Sequence, residues 1–450
     1  MNFIDLFAGC GGFSFGLLKA GMTGHLAVEK NKDAFESLRN NLINNDNYSF
    51  CWDESKIPLV NHDIHSLLTD YSDYLHELAD TNKIDLIVGG PPCQGFSSAG
   101  RRDSNDPRNR LAYDYLEIVS IVKPKYIILE NVKGIQYAFS NGKEEPVSHK
   151  IKLSLSELGY IPVSMIEDCA DWGVPQHRKR FLLFGINASH INISIEPKTL
   201  LTLGRLLEKP LKERLHNFQE SFIKTKGLSR AVSVSDAISD LKAFDESNRG
   251  VEKTIAEDAP GNRFLRIKNL SSIKSEYQKL MREQTDFDGV VPSGLRLAGH
   301  GSEVVKKFKK VLHDINDVDM VSRYSLVRGK SLSQKYASEV MNTKKAIMRV
   351  LDMNKPSVTV TTLPDDILHY DEPRILTVRE CARIQSFPDW YNFSGSYTTG
   401  GVRRKNSCPK YTQVGNAVPP LMSEGIGAFM MGEMEKFIQS AVPEILSNLK

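Results

Sequence analysis

Paired cysteines are missing from this chain. Its 450 residues carry six cysteines, at 10, 51, 93, 169, 381 and 408, and no two share a CxxC spacing. That pattern suggests neither a zinc site nor a disulfide framework, and it fits a reducing cytoplasm. Long apolar runs are also absent, with none near the roughly 18 residues of a membrane span. The opening residues Met1 to Phe7 have no basic start and reach an acid at Asp5, which does not read as a secretory leader. There is no internal repeat and no low-complexity segment. A large net charge is missing too, since the formal value is only +3.

The distribution of charge says more than its sum. Residues 296–355 hold thirteen Lys and Arg against six Asp and Glu, which leaves the remainder of the chain at −4. Concentrated positive charge is what a phosphate-contacting surface requires. The composition, 40% hydrophobic and 25% charged, is that of an ordinary globular protein of two or three domains.

The first 190 residues alternate short apolar runs (3–7, 25–28, 84–88 and 126–129) with helical patterns such as 13–20, 33–42 and 113–122. Such alternation predicts an α/β domain, a doubly wound sheet with helices on both faces. Runs at 160–166 and 180–186, with no helix between them, predict an antiparallel addition at the sheet edge. From about Pro197 the chain turns richer in Lys, Ser and Asn. This predicts a second, smaller, irregular domain, with 246–263 as a long surface loop. At Thr377 the pattern Thr-Val-Arg-Glu is a capping box that opens a helix.

Three stretches carry chemistry. In Phe7-Ala8-Gly9-Cys10-Gly11-Gly12 a strand enters a glycine turn before a helix, so backbone can approach a ligand. Ser14 stands where a dinucleotide fingerprint needs its third glycine, which disfavours a pyrophosphate and suits a nucleoside without phosphates. Glu29 closes the second strand, where a carboxylate accepts ribose hydroxyls. Asp63 and Ile64 follow a third candidate strand, within reach of an adenine ring. A plain tight strand-to-helix turn would read the same way.

In the second stretch, Gly89-Gly90-Pro91-Pro92-Cys93, a buried strand ends and two prolines stiffen the chain before a cysteine. Most free cysteines are small buried hydrophobes, but this setting favours a nucleophile. In the third, residues 126–132, an apolar strand delivers Glu130 to the same edge of the sheet, as a general-acid candidate.

With QHRKR at 176–180, LTVRECARIQSFPD at 376–389 and QVGNAVPP at 413–420, these stretches resemble, in order, the cytosine-C5 DNA methyltransferase family. Some 190 residues between QHRKR and LTVRE align with little. The resemblance implies a Rossmann-like methyltransferase fold with a DNA-recognition domain, divided as 1–197 catalytic, 198–405 target recognition and 406–450 returning to the catalytic domain. It also implies S-adenosylmethionine as cofactor, S-adenosylhomocysteine as product, and no metal. Phe7, Gly9, Gly11, Glu29, Asp63, Ile64, Pro91, Leu111, Asn416 and Val418 would line the cofactor site. Cys93 matches the nucleophile, Glu130 the base-binding carboxylate, and Arg178 and Arg180 the arginines that brace the base and the active-site loop.

The implied reaction adds the Cys93 thiolate to C6 of a flipped-out cytosine in double-stranded DNA, methylates C5 and releases both. A loop at 95–110, with Arg101, Arg102, Arg108 and Arg110, suits closure over the base, or is a solvated basic loop. Lys306, Lys307, Lys309 and Lys310 are phosphate contacts or a solvated helix face. Arg323, Arg328, Lys330 and Lys335 can meet backbone or bases. The first motif begins near residue 3, as in compact bacterial or phage enzymes. That implies a monomeric, cytoplasmic, nucleoid-associated modification enzyme with a cognate restriction endonuclease and no membrane. A transfer-RNA cytosine methyltransferase on the same scaffold is the near alternative. A catalytically silent DNA-binding relative and a nicotinamide oxidoreductase are more distant ones.

Overall fold

The structure, a computed structural model, describes residues 1–81, 83–92, 110–137, 145–243, 250–255, 263–283, 291–343, 348–397 and 407–449. It divides into two compact units, one of Met1–Asp168, Lys179–Phe222 and Met422–Lys450, the other of Cys169–Arg178 and Ile223–Leu421. No helix among the described residues is long and apolar enough to cross a membrane.

The first unit is built on a six-stranded sheet. Its strands are β1 (Asn2–Leu6), β2 (Thr23–Val28), β3 (Leu86–Gly89), β4 (Tyr126–Val132), β5 (Tyr160–Asp168) and β6 (Lys179–Asn187), in the order β2-β1-β3-β4-β6-β5. The first four run parallel, and β6 pairs antiparallel with both β4 and β5, the latter across a short connection that holds only a 3-10 turn at Cys169–Trp172. Central strands such as Leu86-Ile87-Val88 and Ile127-Ile128-Leu129 are wholly buried, because helices cover both faces. Ile4, Leu6, Ile87, Ile127 and Leu129 join one core with Leu67, Leu75, Ile118 and Ile151 of the helices on that face. On the opposite face Asp5 meets Ser14 of another helix. These helices are α1 (Gly12–Lys19), α2 (Lys32–Leu38), α3 (Ile64–Asp70), α4 (Ser72–Asp80), α5 (Leu111–Val122) and α6 (Val147–Glu157).

Several sequence expectations are corrected. No strand precedes Asp63. Residues 51–63 carry only the tail of an isolated bridge at Phe50, because Pro58 lacks an amide donor and the Asp53 carboxylate draws Ser55 into a turn. The helix expected over 33–42 is α-helical only to Leu38 and continues as a π-turn through Ile43. Strand β4 runs to Val132, past the apolar run, because β6 supplies antiparallel partners for Glu130, Asn131 and Val132.

Pro197 opens not an irregular stretch but α7 (Pro197–Thr225), a helix of 29 residues with Pro210 inside it. Leu203, Leu207, Leu211 and Leu215 recur every fourth residue and are fully buried, which overrides the polar composition between them. The helix lies hard on β5: a Cβ at Gly204 would sit 2.3 Å from the Pro162 carbonyl oxygen. Part of the loop expected at 246–263 is a hairpin of β7 (Val251–Ile255) and β8 (Arg263–Ile267). Neither face of β7 is deeply buried, so it lacks the apolar alternation that marks a strand.

The second unit has few ladders, and buried arginines do the work of strands. Thr377 and Glu380 form the expected capping box on the helix Val378–Ile384. From that helix Arg379 donates to the carbonyls of Ser293, Pro388 and Tyr391. Arg383, fully buried, bridges Asp240 at 2.9 Å and Asp389 at 2.7 Å. Arg374 pairs with Glu380 at 2.7 Å. Asp240 also takes Arg282. Such charges persist in a core only when fully matched, since an orphan keeps its desolvation cost. Asp240→Ala should therefore cost about 3–5 kcal/mol. A fall in the urea midpoint of this unit's transition checks it, and a midpoint unchanged from wild type would contradict the analysis.

Candidate active site

One row of the sheet positions most of the residues singled out from sequence. Val28 of β2 is level with Leu6 of β1, Leu6 with Gly89 of β3, and Gly89 with Leu129 of β4. The residues that follow this row are Glu29, Phe7, Gly90 and Glu130. Four motifs scattered over a hundred residues thus begin at one edge, the carboxyl edge where open parallel sheets bind ligands.

At β1 the chain turns through three left-handed residues: Phe7 (φ 63°), Gly9 (φ 57°) and Gly11 (φ 87°). Glycine adopts that conformation freely, whereas Phe7 is strained there, a cost that clusters at ligand sites. The turn is held by carboxylates. Glu29 Oε2 accepts the Gly9 amide at 3.0 Å and Oε1 accepts the Asn31 amide at 2.6 Å. Burial pushes the Glu29 carboxyl up despite these bonds. A Cβ at Gly9 would meet nothing within 4 Å, so the turn opens onto space.

Asp5, which no sequence pattern marked as a site residue, braces the turn from within. Its Oδ2 accepts both the amide (3.1 Å) and the hydroxyl (2.6 Å) of Ser14, in the first turn of α1. Ser14 is therefore a partner of Asp5, not a defective glycine. Burial raises Asp5 to about 7, outweighing the two Ser14 bonds, with Glu29 pushing the same way.

Asp63 caps α3 by accepting the His65 amide at 2.9 Å and pairs with Lys30 at 2.6 Å. Burial raises its pKa, but these partners outweigh it and the net shift is downward. His62 N donates to the Glu29 carbonyl at 3.0 Å, which ties this segment to the end of β2. Ile64 is a core residue, and Phe7, Leu111 and Trp52 pack against the same cluster. Trp52 also stacks on His62 with centroids 6.5 Å apart. No pattern in the sequence marked Trp52 or His62, which sit on irregular backbone without periodicity.

At β3 and β4, Glu130 and Arg180 form an almost buried ion pair, Nε to Oε1 at 2.7 Å. Arg180 Nη1 also donates to the Lys179 carbonyl. Pro91 is buried and Pro92 half-buried. Cys93 and the arginine-bearing loop through residue 109, including Arg101, Arg102 and Arg108, lie outside the described residues.

Arg178 and Arg180, two residues apart, fall in different units. Arg178 is buried and donates to the carbonyls of Val360 (3.2 Å) and Gly415 (2.9 Å). Gln176 donates to Gln385 at 2.6 Å, and Gln385 donates to the Val414 carbonyl at 2.7 Å. Gly415 packs so closely that a Cβ would lie 2.5 Å from the Thr361 carbonyl oxygen. Residues 176–178 and the blocks at 376–389 and 413–420 are thus knitted by buried amides within one unit, which leaves Asn416 exposed and Val418 half-buried.

Of the basic candidates, Arg328 is committed to the carbonyls of Leu351 and Tyr370 and to Asn316. On the helix Ser302–Asp314, Lys306 pairs with Glu303 and Lys310 with Asp314, while Lys309 is exposed. Arg323 and Lys335 flank the Tyr324 ring at 5.2 and 5.5 Å.

The raised Asp5 has a pH signature. The folded chain keeps its proton between 3.8 and about 7 while the unfolded chain has released it, so stability falls as pH rises through that window. Asp5→Asn should gain on wild type in urea midpoint between about pH 5 and about pH 8. A pH-independent difference would refute the shift.

A family model described as C-5 cytosine-specific DNA methylase matches residues 1–431. The type II methyltransferase M.DdeI of Desulfomicrobium norvegicum is 31% identical over 436 residues, covering 95% of this chain and 87% of that protein. The type II methyltransferase M.XorII of Xanthomonas oryzae pv. oryzae is 27% identical, covering 96% and 85%. Among solved structures, one described as a DNA modification methyltransferase encoded within a prophage of E. coli is similar, with a TM-score of 0.59 and 22% identity. The match covers 97% of this chain and 99% of that one.

Proposed function

Because the chain belongs to the C-5 cytosine-specific DNA methylase family, we propose that it methylates C5 of a cytosine flipped out of a specific duplex DNA sequence, with S-adenosylmethionine as donor and a covalent Cys93–C6 intermediate. The observation that carries this reading is the shared row of the sheet, after which Phe7, Glu29, Gly90 and Glu130 follow together.

The glycine turn fits the cofactor by the chemistry of its donors. Glu29 sets a carboxyl at the turn, which would repel a pyrophosphate. Glu29 turns both oxygens to backbone amides, and a carboxylate oxygen can accept more than one bond, so a ribose hydroxyl can join them. Phe7, Gly9, Gly11, Glu29, Asp63, Ile64, Pro91, Leu111, Asn416 and Val418 would hold the cofactor, with Ile64 and Leu111 supplying apolar surface. When bound, it supplies an electrophilic sulfonium methyl.

Cytosine C5 is a weak nucleophile, so the chain activates it. The Cys93 thiolate adds at C6, which breaks aromaticity and makes C5 enamine-like. Negative charge grows on the ring, and a proton passing from Glu130 toward N3 offsets it. Arg180 gives one nitrogen to Glu130 and one to Lys179 O, which keeps Nη2 for O2 of the base. Arg178, through Gly415, braces the turn that carries Asn416. Loss of the C5 proton and of Cys93 then releases the product. The reaction needs the base out of the stack, at a cost of a few kcal/mol.

The segment 198–405 would read the DNA sequence and 406–450 would complete the catalytic domain. Type II relatives suggest a modification enzyme paired with a restriction endonuclease acting on the same site.

Cys93→Ser should abolish methyl transfer and trapping on 5-fluorocytosine duplex, with DNA affinity in a gel shift close to wild type. Retained turnover would reject the nucleophile. Glu29→Ala should weaken S-adenosylhomocysteine binding by about 1.5–3 kcal/mol in calorimetry. An unchanged affinity would displace the ribose contact.

A further inference from the structure

Residues 296–355 concentrate the chain's positive charge, and the fold decides which of those cations still face solvent unspent. Within the second unit, Phe308 and Val311 of the helix Ser302–Asp314 share a core with Tyr324, which ends the helix Val318–Tyr324, and with Tyr336 of the helix Gln334–Glu339. Helices that bury their apolar sides together turn their polar sides to one outer surface. Asp314, 2% exposed, accepts the Tyr336 hydroxyl at 2.9 Å and pairs with Lys310 at 2.9 Å. Tyr336 packs edge-on against Tyr324, with ring centroids 5.3 Å apart. Arg323 and Lys335 approach that same Tyr324 ring, one from its own helix and one from the next.

Most acids of these helices are spent. Glu303 pairs with Lys306, Asp314 is buried, Asp317 caps its helix by accepting the Met320 amide at 2.9 Å, and Glu339 accepts the Tyr324 hydroxyl at 3.1 Å. Among the described residues of the three helices, Asp319 is the exposed acid without such a role. The cations are less committed. Lys309, Arg323 and Lys335 are exposed, and among the described residues none of them pairs with a carboxylate. Lys306, Lys309 and Lys310 fall on one side of their helix at spacings of three and four, which extends the charge along the surface. Two cations over one ring keep their full charge and repel each other. An anion set beside both turns that repulsion into attraction.

We infer that this face of the second unit holds the phosphate backbone of the duplex, through Lys309, Arg323 and Lys335. The inference deepens the proposed function and rests on its duplex DNA substrate. Such contacts set affinity and position but read no bases. Arg328, alike in sequence, takes no part, because its guanidinium is spent on the Leu351 and Tyr370 carbonyls. Each phosphate neutralised releases counterions condensed on the DNA, so each contact adds about 0.9 to the slope of log affinity against log salt.

The test titrates the full-length protein with two duplexes of unrelated sequence over a range of salt concentrations. The triple variant Lys309→Gln, Arg323→Gln, Lys335→Gln should flatten the salt slope by about 2.7 and lose affinity by the same factor on both duplexes. Its melting temperature and S-adenosylhomocysteine affinity should match wild type, since all three side chains lie at the surface. Lys209→Gln, an 87% exposed lysine of α7, should keep the wild-type slope. A triple variant with the wild-type slope would overturn the inference. So would a loss confined to one duplex, which marks base reading, or an equal flattening per residue from Lys209→Gln, which marks net charge alone. A wild type that binds neither duplex would overturn the functional reading itself, and the inference with it.

Discussion

Parallel pairing in register across β2, β1, β3 and β4 is the constraint on which the site depends. Because Val28, Leu6, Gly89 and Leu129 lie level, the chain emerges from four strands at one edge. A slip of one residue in any pair would turn that strand's side chains to the other face, taking Glu29 or Glu130 with them. The fully buried aliphatic strands resist such a slip. Gly89 adds to this, since any Cβ there would lie 2.6 Å from the Leu6 carbonyl oxygen and 2.9 Å from the Tyr115 ring. Packing in the middle of the sheet thus sets the geometry at its rim.

The rim is built from acids under tension. Asp5, Glu29 and Glu130 are all largely withdrawn from water, and each is answered differently: by Ser14, by backbone amides and by Arg180. Burial raises Asp5 and Glu29, and their proximity adds repulsion. With the left-handed Phe7, this is stability given up at the turn, of the kind that proteins tolerate where a ligand will be met. The second unit answers the same problem elsewhere. It places guanidinium–carboxylate clusters in its interior and spends Arg379 on backbone carbonyls, so that irregular backbone is held by side chains.

How far the sequence could be read follows from what signals each part. The parallel strands, α1, α5 and the antiparallel edge pair were legible because apolar periodicity marks them directly. The capping box at Thr377 was legible because its bonds are local. Strand β4 beyond Leu129, hairpin β7–β8 and α7 were not, since partner strands or long-range burial overrode local polarity. Asp5 illustrates the limit at the site. It stood in plain view inside an apolar strand, yet its meaning depends on Ser14 nine residues later and on the opposite face of the sheet.

The order of the short motifs was enough to identify the family, because glycine turns, Pro-Pro-Cys and a strand-end glutamate each record a local chemical need. Which residues share a row, which arginine pairs with a carboxylate and which is spent on carbonyls was decided only by the fold. Arg178 and Arg180 look alike in sequence, but one holds the backbone at Gly415 and the other meets Glu130. Local sequence carries propensity and chemistry. The partners of a buried polar group are set by elements hundreds of residues away, and only tertiary packing brings them within bonding distance.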